Sequence, residues 1–278
     1  MKTWFITGAS RGFGHEWAAA ALERGDRVAA TARDVSTLDG LVEQFGDAIV
    51  PLRLDVTDRA AGFEAVAEAN ERLGRLDVVV NNAGYGQFGT IEELSEAELR
   101  AQLETNLFGA FWITQAALPI MRAQGAGHIL QVSSIGGITA FAGIGAYHAS
   151  KWALEGFSHA LAREVAPFGI HVTLIEPAGY ATDWGGSSAR HATPLAAYDD
   201  VRAVREQQRT VQMARQGDPH ASAAAILTVV DAENPPLRLF LGETPLATAE
   251  ADYASRLATW RQWQPVAAAA HGTKVVAK

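Results

Sequence analysis

The sequence predicts an α/β fold: a doubly wound parallel sheet of about seven strands with helices on both faces, in three α/β/α layers. Three observations support this. Short apolar runs alternate with longer amphipathic stretches through the first two-thirds of the chain, as in successive βαβ units. A glycine-rich turn joins the first apolar run to the first amphipathic stretch. The 278 residues, 48% of them hydrophobic, can bury a sizeable core.

Strands and helices follow from the spacing of apolar residues. Apolar runs bounded by turn residues predict strands at residues 4–7, 27–32, 49–54, 77–80, 128–132, 171–175 and 237–241. Apolar residues at helical spacing predict helices at 15–24, 36–45, 59–73, 95–123, 149–166, 221–230 and 250–263. Ser95 and Glu98 have the spacing of a capping box, which marks the start of one long helix.

We expect a single domain over residues 1–278, since no linker or repeat interrupts the first 180 residues. Residues 183–216 break the alternation, because they are polar and begin with a run of glycine and serine. A segment of this length between sheet elements is typical of a lid or binding loop, so we expect a variable, partly helical, substrate-binding loop there. Residues 265–278 are expected to form a disordered tail.

The composition excludes several classes of protein. A formal net charge of -8 argues against a nucleic-acid partner, which requires a basic surface. Without cysteine, disulfides, cysteine-ligated zinc and thiol catalysis are excluded. No apolar run is long enough to span a bilayer, and the first residues lack a signal-peptide pattern. We therefore expect a cytoplasmic protein with no membrane partner. The scattered histidines lack metal-ligand spacing, so we expect no metal site.

The glycine-rich turn after the first predicted strand has the pattern G-x-x-x-G-x-G. Glycine permits a tight turn and a close approach of the backbone to phosphate, and the helix that follows offers free N–H groups. By itself the pattern fits an ordinary strand-to-helix turn equally well. The candidate phosphate-binding residues are Gly8, Ser10, Arg11, Gly12, Phe13 and Gly14.

Further motifs stand at the ends of later predicted strands or in the helices between them. They are Asp55-Val56, Asn82-Ala83-Gly84, Asn106, Ser134, the pair Tyr147 and Lys151, and Pro177 to Thr182. In this order, and together with the glycine loop, they resemble the short-chain dehydrogenase/reductase family over most of the chain. One position departs from the pattern, because Ala178 stands where the family usually has glycine.

The resemblance implies a Rossmann fold that binds a nicotinamide dinucleotide. Beyond the glycine loop, it implies cofactor contacts at Asp55, Val56, Asn82, Ala83, Gly84, Tyr147, Lys151, Pro177, Gly179 and Thr182. It also implies a catalytic set of Ser134, Tyr147 and Lys151, with Asn106 assisting in proton relay.

The chemistry of the set requires a proton donor and acceptor at the substrate oxygen. Tyrosine has a pKa of about 10, and we expect the nearby ammonium of Lys151 to lower that pKa. Ser134 is expected to hydrogen-bond the substrate oxygen as charge develops on it. Tyr147 and Lys151 are four residues apart, a spacing that also suits an ordinary surface pair on a helix.

The end of the second predicted strand favours NADP(H) over NAD(H). Ala32 stands where NAD-specific members of the family place a carboxylate for the ribose hydroxyls. Arg33 follows, and its planar guanidinium suits a 2′-phosphate, which Arg11 can approach from the other side. Asp34 is the competing feature, since a shift of one residue would bring its carboxylate near the ribose.

Aromatic residues after the motifs predict an apolar pocket for a small carbonyl or alcohol substrate. They are Tyr85, Phe88, Phe141, Tyr180 and Trp184, joined by Ser134 and Tyr147. Trp184 fits packing of the loop on itself almost as well. The segment around Tyr147 resembles the ketone-reductase and hydroxysteroid-dehydrogenase branches of the family.

Two other functions compete with reduction or oxidation at a carbonyl carbon. A non-catalytic NADP(H)-binding sensor of the same fold is disfavoured by the intact set of Ser134, Tyr147 and Lys151. An epimerase or dehydratase of the extended family is disfavoured by the short C-terminal segment. The long helices predicted at residues 99–123 and 149–166 resemble those through which the family forms dimers and tetramers. The resemblance therefore implies a homo-dimer or homo-tetramer.

Overall fold

A computed structural model, in which residues 1–213 and 215–272 are described, contains a seven-stranded parallel sheet. The strands of the described chain are β1 (Thr3–Ile6), β2 (Arg27–Ala32), β3 (Ile49–Arg53), β4 (Val78–Asn81), β5 (Gln87–Phe88), β6 (Gly127–Val132), β7 (Ile170–Pro177), β8 (Arg190–His191) and β9 (Arg238–Leu241). The large sheet has the order β3-β2-β1-β4-β6-β7-β9, and β5 pairs with β8 separately.

Helices connect the strands on both faces of the sheet. They are α1 (Gly12–Glu23), α2 (Asp39–Phe45), α3 (Arg59–Leu73), α4 (Glu96–Leu103), α5 (Gly109–Gln124), α6 (Gly145–Val165), α7 (Asp199–Met213), α8 (Pro219–Asp231) and α9 (Pro245–Ala269). The predicted doubly wound α/β/α architecture is confirmed. No helix of the described chain is both long and apolar enough for a membrane crossing.

The core is divided between the two faces of the sheet, because successive side chains of a strand point in opposite directions. In β1, Trp4 and Ile6 pack in a cluster that includes Trp17 of α1 and Ile226 of α8. Phe5 belongs to the cluster on the other face, which is built with α3, α5 and α6. Both faces are apolar, which explains why the strands read as continuous hydrophobic runs.

The long helix predicted at 95–123 is interrupted. Ser95 caps α4 in the predicted capping box with Glu98. A π-helical turn at Glu104–Phe108 then separates α4 from α5. Such turns add a residue to the helical repeat and are frequent at functional sites. The turn contains Asn106, one of the predicted site residues.

The segment after β7 is more ordered than its composition suggests. It contains β8, short helical turns and the whole of α7. The tail predicted to be disordered from residue 265 is helical to Ala269, since α9 continues through Pro265 into an alanine run of high helix propensity. Residues 273–278 lie outside the described residues.

Candidate active site

The glycine loop between β1 and α1 has the conformation that a close backbone approach requires. Gly8 and Gly12 have φ values of 67° and 57°, which favour glycine. A Cβ on Gly14 would lie 2.5 Å from the carbonyl oxygen of Gly8, so α1 begins directly against the strand end. Arg11, at the N-cap, does not cap α1 with its side chain. The first turn of α1 therefore keeps the free N–H donors of a helix N-terminus.

Asn82 fastens the end of β4 to this loop. Its Nδ2 donates to the carbonyl oxygens of Thr7 at 2.9 Å and Gly8 at 3.0 Å. The Thr7 hydroxyl in turn accepts from the backbone N–H groups of Asn82 and Ala83. These bonds bring two of the predicted cofactor-binding motifs together. Thr7 was not among the predicted site residues, although it directly precedes the first glycine of the G-x-x-x-G-x-G pattern.

The predicted catalytic residues meet at the carboxyl edge of the sheet. Ser134 follows β6, and Tyr147 and Lys151 lie in the first two turns of α6. The Ser134 side chain bonds to Tyr147 closely enough to affect its ionisation. The Nζ of Lys151 lies 5.7 Å from the centre of the Tyr147 ring. Ligands of open α/β sheets bind at this edge.

Lys151 is buried and points back toward the sheet. Its Nζ donates to the carbonyl oxygen of Val132, the last residue of β6, at 2.6 Å. Burial lowers the pKa of Lys151 to about 8, and the charge of Glu155 opposes that effect. The backbone of β6 thus holds the ammonium in place. The charge of Glu155 offsets only part of the effect of burial, so Lys151 loses its proton more readily than an exposed lysine.

The pKa of Tyr147 departs from the sequence-based expectation. We expected Lys151 to lower it, but burial raises the pKa of Tyr147 to about 12, and the hydrogen bond with Ser134 only partly offsets that effect. The physical reason is that Trp184 covers the phenol ring at 4.9 Å between centroids, while the ammonium is drawn to Val132. Tyr147 therefore keeps its proton at neutral pH.

Asn106 connects the π-helical turn to the start of α6. Its Nδ2 donates to the Tyr85 carbonyl oxygen at 3.0 Å and to Ser150 Oγ at 3.1 Å, and its Oδ1 accepts from the Tyr85 N–H. Ser150 donates onward to the carbonyl oxygen of Tyr147. The side chain thus positions the helix that carries Tyr147. The predicted relay role of Asn106 stays a prediction.

His148, one of the scattered histidines for which no site role was predicted, holds the loop between Ser134 and α6. Its Nδ1 lies 2.7 Å from the Gly136 carbonyl oxygen, and its Nε2 accepts from the Phe141 N–H at 2.8 Å. Burial lowers the pKa of His148, so the neutral ring that can both donate and accept is favoured. Its position next to Tyr147 was the one available signal.

Two of the predicted aromatic residues cover Tyr147. Trp184 stands edge-on to Tyr147, and Phe88 lies 5.3 Å from Trp184. Phe88, Ile144 and Tyr147 form a buried cluster against which Trp184 packs. A Cβ on Gly86 would lie 2.7 Å from the indole, so glycine at this position admits the ring. The segment 183–216 therefore reaches the predicted catalytic tyrosine.

The other three aromatic residues contact different parts of the protein. The guanidinium carbon of Arg190 lies 4.6 Å from the centre of the Tyr85 ring, above the ring face. Tyr180 packs edge-on against Phe13, on the α1 side of the loop. Phe141 is 40% exposed and contacts His148. That these three rings line the substrate pocket stays a prediction.

The polar residues at the end of β2 are arranged around Asp55. Arg33 is exposed. Burial raises the pKa of the Asp55 carboxyl, but the hydrogen bonds from Thr57 and, after them, the nearby charge of Arg33 outweigh burial and lower that pKa below its usual value. Asp34 is occupied, since its Oδ1 accepts from the N–H and hydroxyl of Ser36. Arg11 points the other way, to Ser188 Oγ at 2.6 Å.

The strand end at Pro177 is tied to its neighbours through backbone. The Ala178 N–H donates to the Leu241 carbonyl oxygen, and the Gly179 carbonyl oxygen accepts from Gly217. Ala178 has no positive φ, so the side chain is accommodated where the family has glycine. Thr182 lies beside Gly12, since a Cβ on that glycine would be 3.6 Å from the threonine side chain.

The chain is similar to known proteins over most of its length. Residues 2–192 match the family model described as short chain dehydrogenase. The oxidoreductase BOA17 of Botryotinia fuckeliana is 45% identical over 243 residues, which cover 87% of this chain and 89% of that protein.

Two solved structures are also similar. A short-chain dehydrogenase from Streptomyces avermitilis superposes with a TM-score of 0.90 at 41% identity, covering 97% of this chain and 100% of the other. An alcohol dehydrogenase from Thermococcus sibiricus, complexed with 5-hydroxy-NADP, has a TM-score of 0.73 at 28% identity, covering 87% and 96%.

Proposed function

The chain belongs to the short-chain dehydrogenase family, and from this premise we propose that it transfers hydride between NADP(H) and a carbonyl or alcohol substrate. The observation that carries the proposal is the meeting of Ser134, Tyr147 and Lys151 at the carboxyl edge of the sheet, beside the glycine loop. Ser134 and Tyr147 are the groups that contact the substrate oxygen, and Lys151 supports them.

The residues present fit a dinucleotide. The glycine loop offers uncapped N–H donors at the start of α1 and glycines where a Cβ would collide with backbone. In this proposal the loop holds the phosphates, Asp55 and Val56 lie at the adenine, and Lys151 holds the ribose near Tyr147. Asn82 to Gly84 and Pro177 to Thr182 flank the nicotinamide end. When bound, the reduced nicotinamide supplies the hydride.

Tyr147 carries the proton of the reaction. Because burial raises its pKa to about 12, the phenol is protonated at neutral pH and is the acid that delivers a proton to the carbonyl oxygen in reduction. Ser134 donates a second hydrogen bond to that oxygen as negative charge develops on it. The ammonium of Lys151 stabilises the phenolate that remains. Oxidation uses the same groups in the opposite sense.

Trp184 and Phe88 exclude water from Tyr147 and supply apolar walls for the substrate. A carbonyl compound with an apolar body is therefore the substrate class that this site favours. Closing water out strengthens the electrostatic interactions among Tyr147, Lys151 and the substrate oxygen.

The preference for NADP(H) is supported by three features at the end of β2. Ala32 places no carboxylate at the strand tip. Asp34 is turned toward Ser36, so this competing carboxylate is directed to its own turn and not to the ribose. The exposed guanidinium of Arg33 beside Asp55 is free to bind a 2′-phosphate. The Thermococcus sibiricus enzyme, whose structure holds an NADP derivative, supports the same choice.

The test is a panel of apolar ketones and aldehydes, assayed with NADPH and with NADH by nicotinamide absorbance. We expect at least one carbonyl compound to be reduced, and the Tyr147→Phe variant to bind NADPH normally while losing turnover. Phenylalanine keeps the buried ring that packs against Trp184, so a folding defect is a poor explanation for loss. Tight NADPH binding with no turnover across the panel would favour the sensor function instead.

A further inference from the structure

Two glutamates lie buried together behind the active site. Glu155 follows Lys151 by one turn of α6, and Glu176 is the penultimate residue of β7. Their side chains are 7% and 0% exposed. One cation, Arg238 of β9, contacts both: its Nε lies 3.0 Å from Glu155 Oε2 and 3.3 Å from Glu176 Oε1. The mechanism above uses none of these three side chains.

The cluster has more acceptor oxygens than donors. Within the described chain, Glu155 Oε1 and both carboxyl oxygens of Glu176 have no hydrogen-bond donor. The two carboxyl groups are nevertheless within hydrogen-bonding reach of each other. Two ionised carboxylates this close in a buried site repel strongly, and one of them takes up a proton instead. A single proton between them gives the orphaned oxygens a donor.

The surroundings assign that proton to Glu176. Glu155 accepts the direct hydrogen bond from Arg238 and lies near Lys151, so two cations stabilise its charge. Glu176 has full burial and a longer ion contact. Burial, followed by the charge of Glu155, raises the pKa of Glu176 well above its usual range.

The pair also touches the loop that carries Ser134. A Cβ on Gly137 would lie 2.7 Å from Ser133 Oγ and 3.2 Å from Glu155 Oε1. Glycine at this position thus lets the Glu155 carboxylate approach the backbone beside the catalytic serine. Glu155 therefore lies close both to Lys151, one turn earlier on α6, and to the backbone of the loop that follows Ser134.

We infer that Glu155 and Glu176 are positioning residues, an ionised glutamate and a neutral glutamic acid sharing one proton, whose net charge keeps Lys151 protonated. Glu155 supplies the negative charge one helical turn from the lysine. Glu176 donates a hydrogen bond that holds Glu155 in place without adding a second charge. The inference rests on the proposed function only in giving Lys151 its role at the cofactor.

Other charged groups around the pair do not substitute for it. Tyr147, on the same helix, is neutral in the relevant range. Arg238 of β9 is a cation that contacts both glutamates, so it adds no negative charge near Lys151. On α9, Arg256 is paired with Asp252 and donates to the Ile138 carbonyl oxygen. Lys151 therefore depends on Glu155 for the negative charge that opposes its burial.

The experiment compares Glu155→Gln with Glu176→Gln, a matched pair that differs only in which carboxyl is replaced. The ionisation of Lys151 is followed by NMR of labelled lysine side chains in the cofactor-free protein, with the signal identified by its loss in Lys151→Arg. We expect Glu155→Gln to lower the proton affinity of Lys151 about tenfold or more, since a charge about one helical turn away is removed from a buried site. Glu176→Gln should leave that affinity within about twofold, because its amide N–H replaces the acid as donor to Glu155.

NADP(H) binding against pH provides the second readout. In Glu155→Gln, affinity should fall at a lower pH than in wild type, whereas Glu155→Asp should restore much of the wild-type profile. An effect confined to Glu176→Gln, or a Lys151 titration unchanged in both variants, would overturn the inference. Absence of NADP(H) binding in the wild type would instead overturn the proposed function, because the lysine titration needs neither cofactor nor turnover.

Discussion

Lys151 and Tyr147 show how burial acts oppositely on a base and an acid one helical turn apart. Burial disfavours the charged form of each group, so the pKa of Lys151 falls to about 8 while that of Tyr147 rises to about 12. Between those values the lysine is losing its charge while the tyrosine still holds its proton. Alkaline loss of activity should therefore originate at the lysine.

Carbonyl reduction is accordingly expected to decline as pH rises through about 8. Lys151 is charged below its lowered pKa and neutral above it, and the neutral amine cannot stabilise the phenolate. The measurement is kcat/KM for reduction across pH, which reports ionisations of the free enzyme. A decline that begins only near the ordinary lysine pKa of about 10.4 would contradict the assignment.

Arg33→Ala should erase most of a preference for NADPH over NADH. Two charge-assisted hydrogen bonds to a 2′-phosphate, at about 1.5 kcal/mol each, correspond to roughly a hundredfold preference in kcat/KM. The matched control is Arg75→Ala. It removes an exposed arginine that precedes the central strand β4 and so lies at the amino ends of the strands, away from the carboxyl edge where Arg33 lies. Equal or better use of NADH by the wild type, at fixed salt, would refute the preference itself.

At the scale of elements, the sequence predicted the seven strands because most of them are apolar runs whose residues are buried on both faces, as in β2 and β6. The edge strand β9 is only half-buried, but it too is a short, mainly apolar run. It could not predict β5 and β8, since two residues carry no periodicity. The π-helical turn was not predicted for a different reason: the spacing of apolar residues indicates a helix but does not show which carbonyl each N–H group bonds.

The candidate site divides in the same way. The motifs around Gly8, Ser134 and Tyr147 were predictable because each has a fixed spacing on one element. The contacts of Glu155 with Glu176 join different elements, and only the fold brings them together. An acidic residue at the end of the apolar run of β7 was the available signal.

The segment 183–216, which we predict to be a lid, is held by polar contacts around Glu93. This carboxylate accepts from the N–H groups of Leu195 and Thr90 and pairs with Arg202 of α7. Further along α7, Arg205 donates to the Gly143 carbonyl oxygen and lies 4.3 Å above the Phe88 ring. Glu93 therefore fixes the helix whose Arg205 covers Phe88, a predicted wall of the substrate pocket.

Glu93→Gln should raise KM for the carbonyl substrate several-fold and leave NADPH affinity unchanged, because it weakens lid docking without touching the glycine loop. Glu96→Gln is the control, since Glu96 pairs with Arg100 on the exposed face of α4. The bonds from Leu195 and Thr90 hold the pKa of Glu93 at about 2. Its charge is thus lost only as pH falls through that value, and mild acid should not reproduce the variant. Equal loss of cofactor and substrate affinity would contradict the lid role.

At the scale of the whole molecule, a buried histidine makes the fold sensitive to acid. His128 of β6 lies 2.9 Å from the Thr173 hydroxyl of β7, and burial, followed by the charge of His171, lowers its pKa to about 3. In the unfolded chain a histidine has a pKa of about 6.5. The unfolded state thus binds the proton first, and stability falls as pH drops from about 6.5 toward 3, by at most about 1.4 kcal/mol per pH unit.

His128→Gln should move the midpoint of acid unfolding to lower pH, because glutamine can still donate to Thr173 but does not take up a proton. The free energy of unfolding would be measured in denaturant at several pH values for both proteins. His159→Gln, which replaces a less buried histidine of α6 next to Arg163, is the control. If both variants have the wild-type pH dependence, the acid sensitivity lies elsewhere.

The bridge between Tyr180 and Gly217 has a consequence for how this protein can change over evolutionary time. The Ala181 N–H donates to the Gly217 carbonyl oxygen, and the Gly217 N–H donates to that of Gly179. These bonds hold the two ends of the segment between them side by side. The intervening stretch can then lengthen, shorten or be replaced while its ends stay fixed, and each doubling of its length costs only about 0.6 kcal/mol in closure entropy. The predicted substrate-binding segment can therefore diverge between relatives while the residues predicted for catalysis and cofactor binding are retained.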